Sequence, residues 1–201
     1  MDSAQKLPWL SFSRLTLPSA ENTILLFHFD LDREDVELFE RVLNEEERAT
    51  ADRRRGQLLR TRYVVGRGAT RRVIGALLNK EPASVKFGHG PHGKPYLPDE
   101  LRFNLSHSEG SALLAATQVR GLDETSLGVD LEYVRDWQDL DDLAHSVYTL
   151  PELAWLEDLE DPQARREAFF RLWTVKESFM KATGEGMTRP LQEFRAAWSE
   201  G

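Results

Sequence analysis

One long amphipathic segment near the C-terminal end constrains this chain more than any other part of its sequence. Asp161 is a good N-cap, Pro162 suits the first helical position, and Gly184 stands where helices often end in the left-handed conformation. The sequence therefore predicts a single helix over residues 162–183. Its apolar stripe recurs at steps of three and four residues. The stripe comprises Ala168, Leu172, Val175, Phe179 and Ala182, widened by Trp173 and Met180.

A second face of the same helix carries Thr174, Glu177 and Lys181. Glutamate four residues before lysine is a favourable surface ion pair, and for these residues alone that is the simpler interpretation. A second acidic pair upstream, Asp130 and Glu132, favours a functional interpretation.

Composition narrows the class of protein. The 201 residues include 34 acidic and 26 basic side chains, so the net charge is −8 and nucleic acid is a poor default partner. The absence of cysteine excludes a disulfide scaffold and cysteine-based metal or nucleophile chemistry. No signal pattern or membrane-length apolar run is present. We expect a soluble, cytoplasmic protein that does not bind membranes.

The N-terminal part predicts one buried strand followed by helices. The apolar run over residues 24–31 predicts the strand, and acidic residues then begin a helix that ends near Val42. A helical pattern capped by Asn44 continues to Leu78, with an interruption at Gly56.

Eight arginines crowd residues 53–72 of this helical region. A solvated helix face explains most of them, but Arg60, Arg67 and Arg71 share one face and predict an anion site, with phosphate the natural ligand. A nucleic-acid-binding module is the alternative that these arginines leave open.

The middle of the chain predicts an antiparallel meander. Residues 103–108 and 112–117 read as two strands joined by a tight turn, and residues 126–134 as a third strand. His107 lies near the end of the first strand, where a histidine is more often structural than catalytic. In the third strand, Asp130 and Glu132 face the same side.

Further helices are predicted over residues 136–143 and 148–156. Strand, short helix and long helix then occur in the same order in both parts of the chain. This order suggests an α/β (α+β) fold of two similar halves in a pseudo-twofold arrangement, each a small, mainly antiparallel sheet packed with a long helix. The halves would comprise residues 1–120 and 121–201.

Two carboxylates on one face of a strand repel each other unless a cation lies between them. Asp130, Glu132 and Glu177 offer oxygen ligands without nitrogen or sulfur, which is the donor set of Mg²⁺. A solvent-facing strand edge explains Asp130 and Glu132 equally well, so composition leaves both interpretations open.

Five motifs, in their order along the chain, resemble one enzyme family. The pair formed by the acidic motif and the Trp-Thr-x-Lys-Glu motif is highly specific, whereas each of the others is weak alone. The motifs are Tyr63 to Gly68, Gly93 to Pro95, Phe103 to Ser108, Gly128 to Glu132 and Phe170 to Gly186. Together they resemble the Sfp-type 4′-phosphopantetheinyl transferases, over roughly residues 43–194.

The resemblance implies a monomeric enzyme that moves the phosphopantetheine arm of coenzyme A onto a serine of an acyl or peptidyl carrier protein and releases 3′,5′-ADP. It implies Mg²⁺ held by Asp130, Glu132 and Glu177. The coenzyme A phosphates would then be surrounded by Arg67, Lys94, Ser106, His107 and Lys181. Residues 1–120 would form the coenzyme A-binding half, and residues 121–201 the half with the metal-binding and catalytic motifs.

In this interpretation Lys181 stabilises or protonates the departing ADP, and Glu177 accepts the serine proton directly or through a metal-bound water. A metal-dependent hydrolase of coenzyme A or a nucleotide is the enzymatic alternative. The family usually continues through more β-structure after the position of Arg195, so we expect the second sheet to be incomplete or completed otherwise.

Overall fold

The computed structural model describes residues 23–90, 93–98, 101–117, 127–137, 139–184 and 189–196. The strands are β1 (Leu25–Asp30), β2 (Gly88–His89), β3 (Pro95–Tyr96), β4 (Arg102–Ser108) and β5 (Ser111–Thr117). The helices are α1 (Val36–Glu40), α2 (Glu45–Asp52), α3 (Gln57–Leu78), α4 (Leu140–Val147), α5 (Leu150–Glu157) and α6 (Pro162–Thr183). Short 3₁₀ turns form at Pro82–Ser84 and Leu191–Glu193.

A three-stranded antiparallel sheet organises the N-terminal part, with strand order β1-β5-β4. The predicted hairpin of β4 and β5 is confirmed: Ser108 pairs with Ser111 around a two-residue turn in which Glu109 has a positive φ of 49°. β1 completes the sheet on the other side of β5, and β2 pairs with β3 in a separate two-stranded ribbon.

The prediction of a third meander strand over residues 126–134 is wrong for its described part. Residues 127–137 lie outside both sheets, and residue 126 lies outside the described residues. The reason is Gly128, where an added Cβ would lie 1.8 Å from the Ser178 carbonyl oxygen of α6. The segment thus packs against a helix backbone, and its hydrogen bonds to β4 are made to β4 side chains.

α3 packs against one face of the three-stranded sheet. The predicted break at Gly56 is confirmed, because this residue has a φ of 87° and separates α2 from α3. Gly68 allows α3 to touch α1 closely, since an added Cβ would lie 2.5 Å from the Phe39 carbonyl oxygen. Phe29, Val65, Ile74 and other buried residues form the core between these elements.

The second core lies among α4, α5 and α6. The predicted ends of α6 are confirmed: the Asp161 side chain accepts hydrogen bonds from the backbone amides of Gln163 and Ala164, and Gly184 has a φ of 74°. The predicted buried stripe is partly wrong, because Val175 and Phe179 are exposed.

The buried stripe of α6 instead follows positions 169, 172, 176 and 180. These are Phe169, Leu172, Lys176 and Met180, of which Lys176 is fully buried. A lysine therefore stands in the middle of the helix face that packs into the core.

The remaining helices differ from their predictions mainly in their ends. α4 overlaps only the second half of the predicted 136–143 helix. α5 begins after a capping box in which Thr149 and Glu152 satisfy each other's backbone amides. No helix of the described residues is long and apolar enough to cross a membrane.

The mixed helix-and-sheet class is confirmed. Antiparallel sheet is found in the N-terminal part, whereas residues 127–137, 139–184 and 189–196 contain helices and no strand.

Candidate active site

Residues 127–137, called the acidic segment here, meet α6 at a glycine. Because Gly128 lacks a side chain, the backbone of this segment lies directly on α6 at Ser178 and Ala182. The segment then continues beside β4, where Asn104 Oδ1 accepts a hydrogen bond of 2.8 Å from the Val129 amide. These contacts bring Asp130 of the segment, Ser106 of β4 and residues of α6 to one place.

A three-residue cluster forms where these elements meet. Lys181 Nζ donates to Asp130 Oδ1 at 2.5 Å and to Ser106 Oγ at 2.8 Å. Ser106 Oγ donates to the same Asp130 oxygen at 2.8 Å. Since the Asp130 side chain is 2% exposed, its negative charge is stabilised chiefly by this lysine and hydroxyl.

The other Asp130 oxygen has no hydrogen-bond partner in the described part of the chain. Oδ2 is buried and makes no hydrogen bond among the described residues. A buried carboxylate oxygen without a partner is costly, and such groups are often found where a ligand binds.

Glu132 contacts β4 at Ser108, two residues after the Ser106 that contacts Asp130. Ser108 Oγ donates to Glu132 Oε2 at 2.9 Å and accepts a hydrogen bond of 3.0 Å from the Tyr133 amide. Asn104, Ser106 and Ser108 alternate along one face of β4, so each contacts the acidic segment in turn.

Glu177 stands near both acidic residues. Burial raises the pKa of its carboxyl group, the charges of Asp130 and Glu132 raise it further, and the charge of Lys181 opposes them. The net direction is upward, so the site disfavours a third negative charge in the absence of a cation.

These residues fit a divalent cation in part. Among the described residues, no three carboxylate or histidine side chains are grouped closely enough to form a complete metal site. Mg²⁺, however, usually binds through one or two carboxylates and completes its coordination with water and substrate phosphate. The unpartnered Asp130 oxygen and the raised pKa of Glu177 match that mode of binding.

An open cleft borders the two acidic residues. Its volume is about 400 Å³, and it lies between the acidic segment and the N-terminal half of α6. Its walls are formed by Asp130, Leu131, Glu132, Val134, Glu167, Phe170, Arg171 and Thr174. A substrate therefore has access to the carboxylates from this side.

Lys94, predicted to contact phosphate, is engaged elsewhere. Its ammonium group donates to the carbonyl oxygens of Leu127 (3.1 Å), Ala182 (3.2 Å) and Lys181. Burial lowers the pKa of Lys94. Because an ammonium group has three donors, this lysine is fully used in joining the acidic segment to the C-terminal end of α6.

Arg67 and Arg71, which the sequence predicts at an anion site, have different surroundings in the structure. Arg71 is buried and donates to Glu47 and to the carbonyl oxygens of Pro82 and Val85, so it is structural. Arg67 donates to the other Glu47 oxygen at 2.5 Å and lies over the Phe87 ring, with 16% of its side chain exposed. Of these two arginines, Arg67 is therefore the one that a ligand can reach.

Three further arginines of α3 have partners within the described part of the chain. Arg60 pairs with Glu40 and Asp52, and Arg62 pairs with Asp32 and Glu109. Arg72 donates to the Leu38 carbonyl oxygen. These arginines stabilise the fold, which weakens the nucleic-acid alternative.

His107 is exposed, and strand alternation places it on the sheet face opposite Ser106. The structure therefore brings Ser106, Asp130 and Lys181 together, with Glu132 and Glu177 close by, but gives His107 and Lys94 different surroundings.

Comparison with known proteins identifies the family. A family model described as the 4′-phosphopantetheinyl transferase superfamily matches residues 126–200. The 4′-phosphopantetheinyl transferase HetI of Nostoc sp. is 38% identical over 190 residues, which cover 91% of this chain and 76% of HetI. This chain belongs to the 4′-phosphopantetheinyl transferase superfamily.

Other transferases of the superfamily match less of their own length. The Bacillus subtilis transferase Sfp is 28% identical over 82% of this chain and 70% of Sfp. Another Bacillus subtilis 4′-phosphopantetheinyl transferase is 30% identical over 66% of this chain and 56% of its own length. The predicted resemblance to the Sfp type and the predicted enzyme class, a transferase, are both confirmed.

Three residues of this candidate site escaped the sequence analysis. Asn104, Ser108 and Gly128 lie inside the motifs that carried the resemblance, but their contacts depend on how β4 and α6 approach the acidic segment. Lys176 is the lysine of the Trp-Thr-x-Lys-Glu motif, but its burial in the second core was not predicted.

Proposed function

We propose that this transferase moves the phosphopantetheine arm of coenzyme A onto a serine of an acyl or peptidyl carrier protein. The observation that best supports the proposal is the buried Asp130 carboxylate. One of its oxygens is paired with Lys181 and Ser106, and the other has no partner among the described residues. Membership in the superfamily supplies the reaction class.

In this reaction the serine oxygen forms a bond to the phosphorus that carries the arm, and the diphosphate bond to the departing 3′,5′-ADP breaks. The charge that develops on the phosphate oxygens must be stabilised by fixed cations and donors. Lys181 Nζ and Ser106 Oγ lie together and can donate to such oxygens. Lys181 also has a proton to give to the leaving phosphate.

Glu177 is the proposed base for the serine proton. Without a cation its carboxyl group has a raised pKa, because it is buried beside Asp130 and Glu132, and a bound cation would favour the ionised form that can accept a proton. The proton passes from the serine hydroxyl to the Glu177 carboxylate as the new bond forms.

Asp130, Glu132 and Glu177 are the proposed ligands of Mg²⁺. When bound, the ion would supply positive charge to the coenzyme A diphosphate. The chain's own contribution is to hold the three carboxylates: Ser106 and Lys181 orient Asp130, Ser108 orients Glu132, and α6 carries Glu177.

The remaining coenzyme A contacts are less direct. Arg67 is proposed to bind phosphate through its exposed edge, and His107 through its exposed ring. The carbonyl contacts of Lys94 favour a role in holding the end of α6 in place of a phosphate contact.

We also propose the two-part organisation predicted from the sequence. Residues 1–120 would serve as the coenzyme A-binding half and residues 121–201 as the half with the metal-binding and catalytic motifs. The equal lengths of α3 and α6, 22 residues each, support a pseudo-twofold relation between the halves. A cytoplasmic location and a monomeric state stay predictions.

Intact-mass analysis of an apo carrier protein, incubated with this chain, coenzyme A and Mg²⁺, tests the proposal. We expect a mass gain of about 340 Da, the size of one covalently added phosphopantetheine group, and no gain with EDTA. Release of 3′,5′-ADP without a mass gain on any carrier would instead favour the hydrolase alternative.

A further inference from the structure

A fully buried ion pair lies on the side of α6 that packs into the second core. Lys176 Nζ is 3.0 Å from Glu152 Oε2 of α5, and the two side chains are 0% and 3% exposed. The charge on Glu152 is further stabilised by the backbone amide and the hydroxyl group of Thr149, at 2.8 Å and 2.9 Å.

The same pair holds the segment that follows α6. Lys176 Nζ donates to the carbonyl oxygens of Leu191 at 2.8 Å and Phe194 at 2.6 Å. Glu152 Oε1 accepts a hydrogen bond of 2.7 Å from the Ala196 amide. Lys176 therefore joins α5, α6 and residues 191–196 at one point.

Aromatic contacts add to this joint. The Phe194 ring lies 4.6 Å from Lys176 Nζ and 4.7 Å from the Phe179 ring of α6. Residues 191–196 thus contact α6 both at the buried lysine and at the phenylalanine one turn later. Rotation of α6 about its axis would break all of these contacts together.

Stability alone does not account for such a pair. Replacing a buried ion pair with uncharged residues of similar size is often neutral for folding, because the two charges lose their hydration. In some proteins a buried ion pair is retained because it fixes one arrangement of the surrounding elements.

We propose that Lys176 is a positioning residue for Glu177, and this inference rests on the proposed metal-dependent transfer. Successive residues of a helix point about 100° apart, so a fixed Lys176 sets the direction of Glu177. Lys94 holds the end of the same helix through the carbonyl oxygens of Lys181 and Ala182. Between them, the two lysines fix the rotation of the α6 face that carries Glu177 and Lys181.

The double variant Lys176→Met/Glu152→Gln tests the proposal, because it removes both charges and keeps the side-chain sizes. We expect a folded protein with a lowered unfolding temperature, because the carbonyl oxygens of Leu191 and Phe194 lose their donor. We expect affinity for Mn²⁺, measured by electron paramagnetic resonance in the presence of coenzyme A, to fall about 10-fold, as for losses of groups that orient metal ligands. The Mg²⁺ concentration needed for half-maximal transfer should rise by the same factor.

Tyr148→Phe is the matched control. It removes the hydrogen bond of 2.7 Å from the Tyr148 hydroxyl group to the Phe169 carbonyl oxygen of α6, within the same core, and leaves Lys176 in place. It should lower the unfolding temperature without changing Mn²⁺ affinity.

Lys176→Arg keeps the charge but moves the point of attachment, and it serves if the double variant does not fold. It should also weaken Mn²⁺ binding about 10-fold. Unchanged Mn²⁺ affinity in a folded variant of either kind would overturn the proposal. A wild-type protein that binds Mn²⁺ but transfers nothing would instead refute the proposed function and leave the positioning role standing.

Discussion

Two glutamate-centred clusters in this molecule use similar residues to opposite effect. In the N-terminal part, Glu47 is 5% exposed, and its carboxylate accepts hydrogen bonds from Arg71, Arg67 and the Asn44 backbone amide. Burial alone would raise the pKa of Glu47, but these donors hold it below the ordinary value. At the candidate site, Glu177 has a raised pKa because burial and its acidic neighbours outweigh Lys181.

The difference separates structural from functional charge. Every oxygen of the Glu47 carboxylate has a cationic partner, so this cluster is complete without a ligand. Among the described residues, Glu177 lies near two further carboxylates and one lysine, and one Asp130 oxygen has no partner, so negative charge is in excess. A bound cation would neutralise part of that excess.

The largest effect is expected at Asp130. Asp130→Ala removes the partner of Lys181 and a proposed metal ligand, and we expect transfer to fall by at least about 10³-fold. Steady-state transfer to an apo carrier measures it, and circular dichroism checks the fold. Asp142→Ala, at an exposed aspartate of α4, is the control and should keep full activity. A fully active Asp130→Ala protein would refute the metal assignment.

A smaller loss is expected at Gly128. An added methyl group would clash with the Ser178 carbonyl oxygen, so Gly128→Ala must push the acidic segment away from α6. Misplacement by about 1 Å can cost about 10²-fold in rate, and we expect a loss of that size in kcat. At Gly90 an added Cβ would meet its nearest neighbour at 3.6 Å, so Gly90→Ala should be tolerated. Equal activity of the two variants would contradict the proposed packing role.

Lys181→Ala should reduce kcat by about 10- to 100-fold, since it removes one charged donor from the developing negative charge. The affinity for coenzyme A, measured by calorimetry, should change less. Lys86→Ala, which removes an exposed lysine far from Lys181 in the sequence, serves as the control. A larger loss in affinity than in kcat would move Lys181 from catalysis to binding.

The smallest effects concern stability, and they should have opposite signs in the two clusters. Glu47 has a lowered pKa, so its contribution to folding is present at neutral pH and is lost as the pH falls through its folded pKa. Glu47→Gln should therefore destabilise the protein at pH 7, by about 1–3 kcal/mol. The loss should vanish in acid.

Glu177 has a raised pKa, so its ionisation costs stability as the pH rises through its folded pKa. Glu177→Gln should stabilise the metal-free protein at pH 7 by about 0.5–2 kcal/mol, as relief of functional strain often does. Denaturant unfolding in EDTA at several pH values measures both variants. Destabilisation by Glu177→Gln at neutral pH would erase the contrast between the clusters.

The sequence predicted local structure and family well because both depend on neighbouring residues. The caps of α6, the break at Gly56 and the hairpin of β4 and β5 follow from turn and capping chemistry. Asp130 and Lys181 were also predicted as site residues, since specific motifs surround them.

Long-range partners could not be predicted from the same information. Arg67 and Arg71 share a helix face, yet Glu47 and the carbonyl oxygens near Pro82 make Arg71 structural. The predicted third strand has the alternation of a strand, but Gly128 draws it onto α6. The predicted apolar stripe of α6 passes through Val175 and Phe179, whereas the buried stripe passes through Lys176. A lysine is not expected in a core, and its burial depends on its ion pair with Glu152 of α5.

Crystallography with coenzyme A and Mn²⁺ tests the central claim most directly, because Mn²⁺ gives anomalous scattering and takes the same oxygen ligands as Mg²⁺. We predict one anomalous peak contacted by Asp130, Glu132 and Glu177 and by the diphosphate, with Lys181 beside the phosphate oxygens. A diphosphate bound elsewhere, or a peak that these carboxylates do not contact, would contradict it.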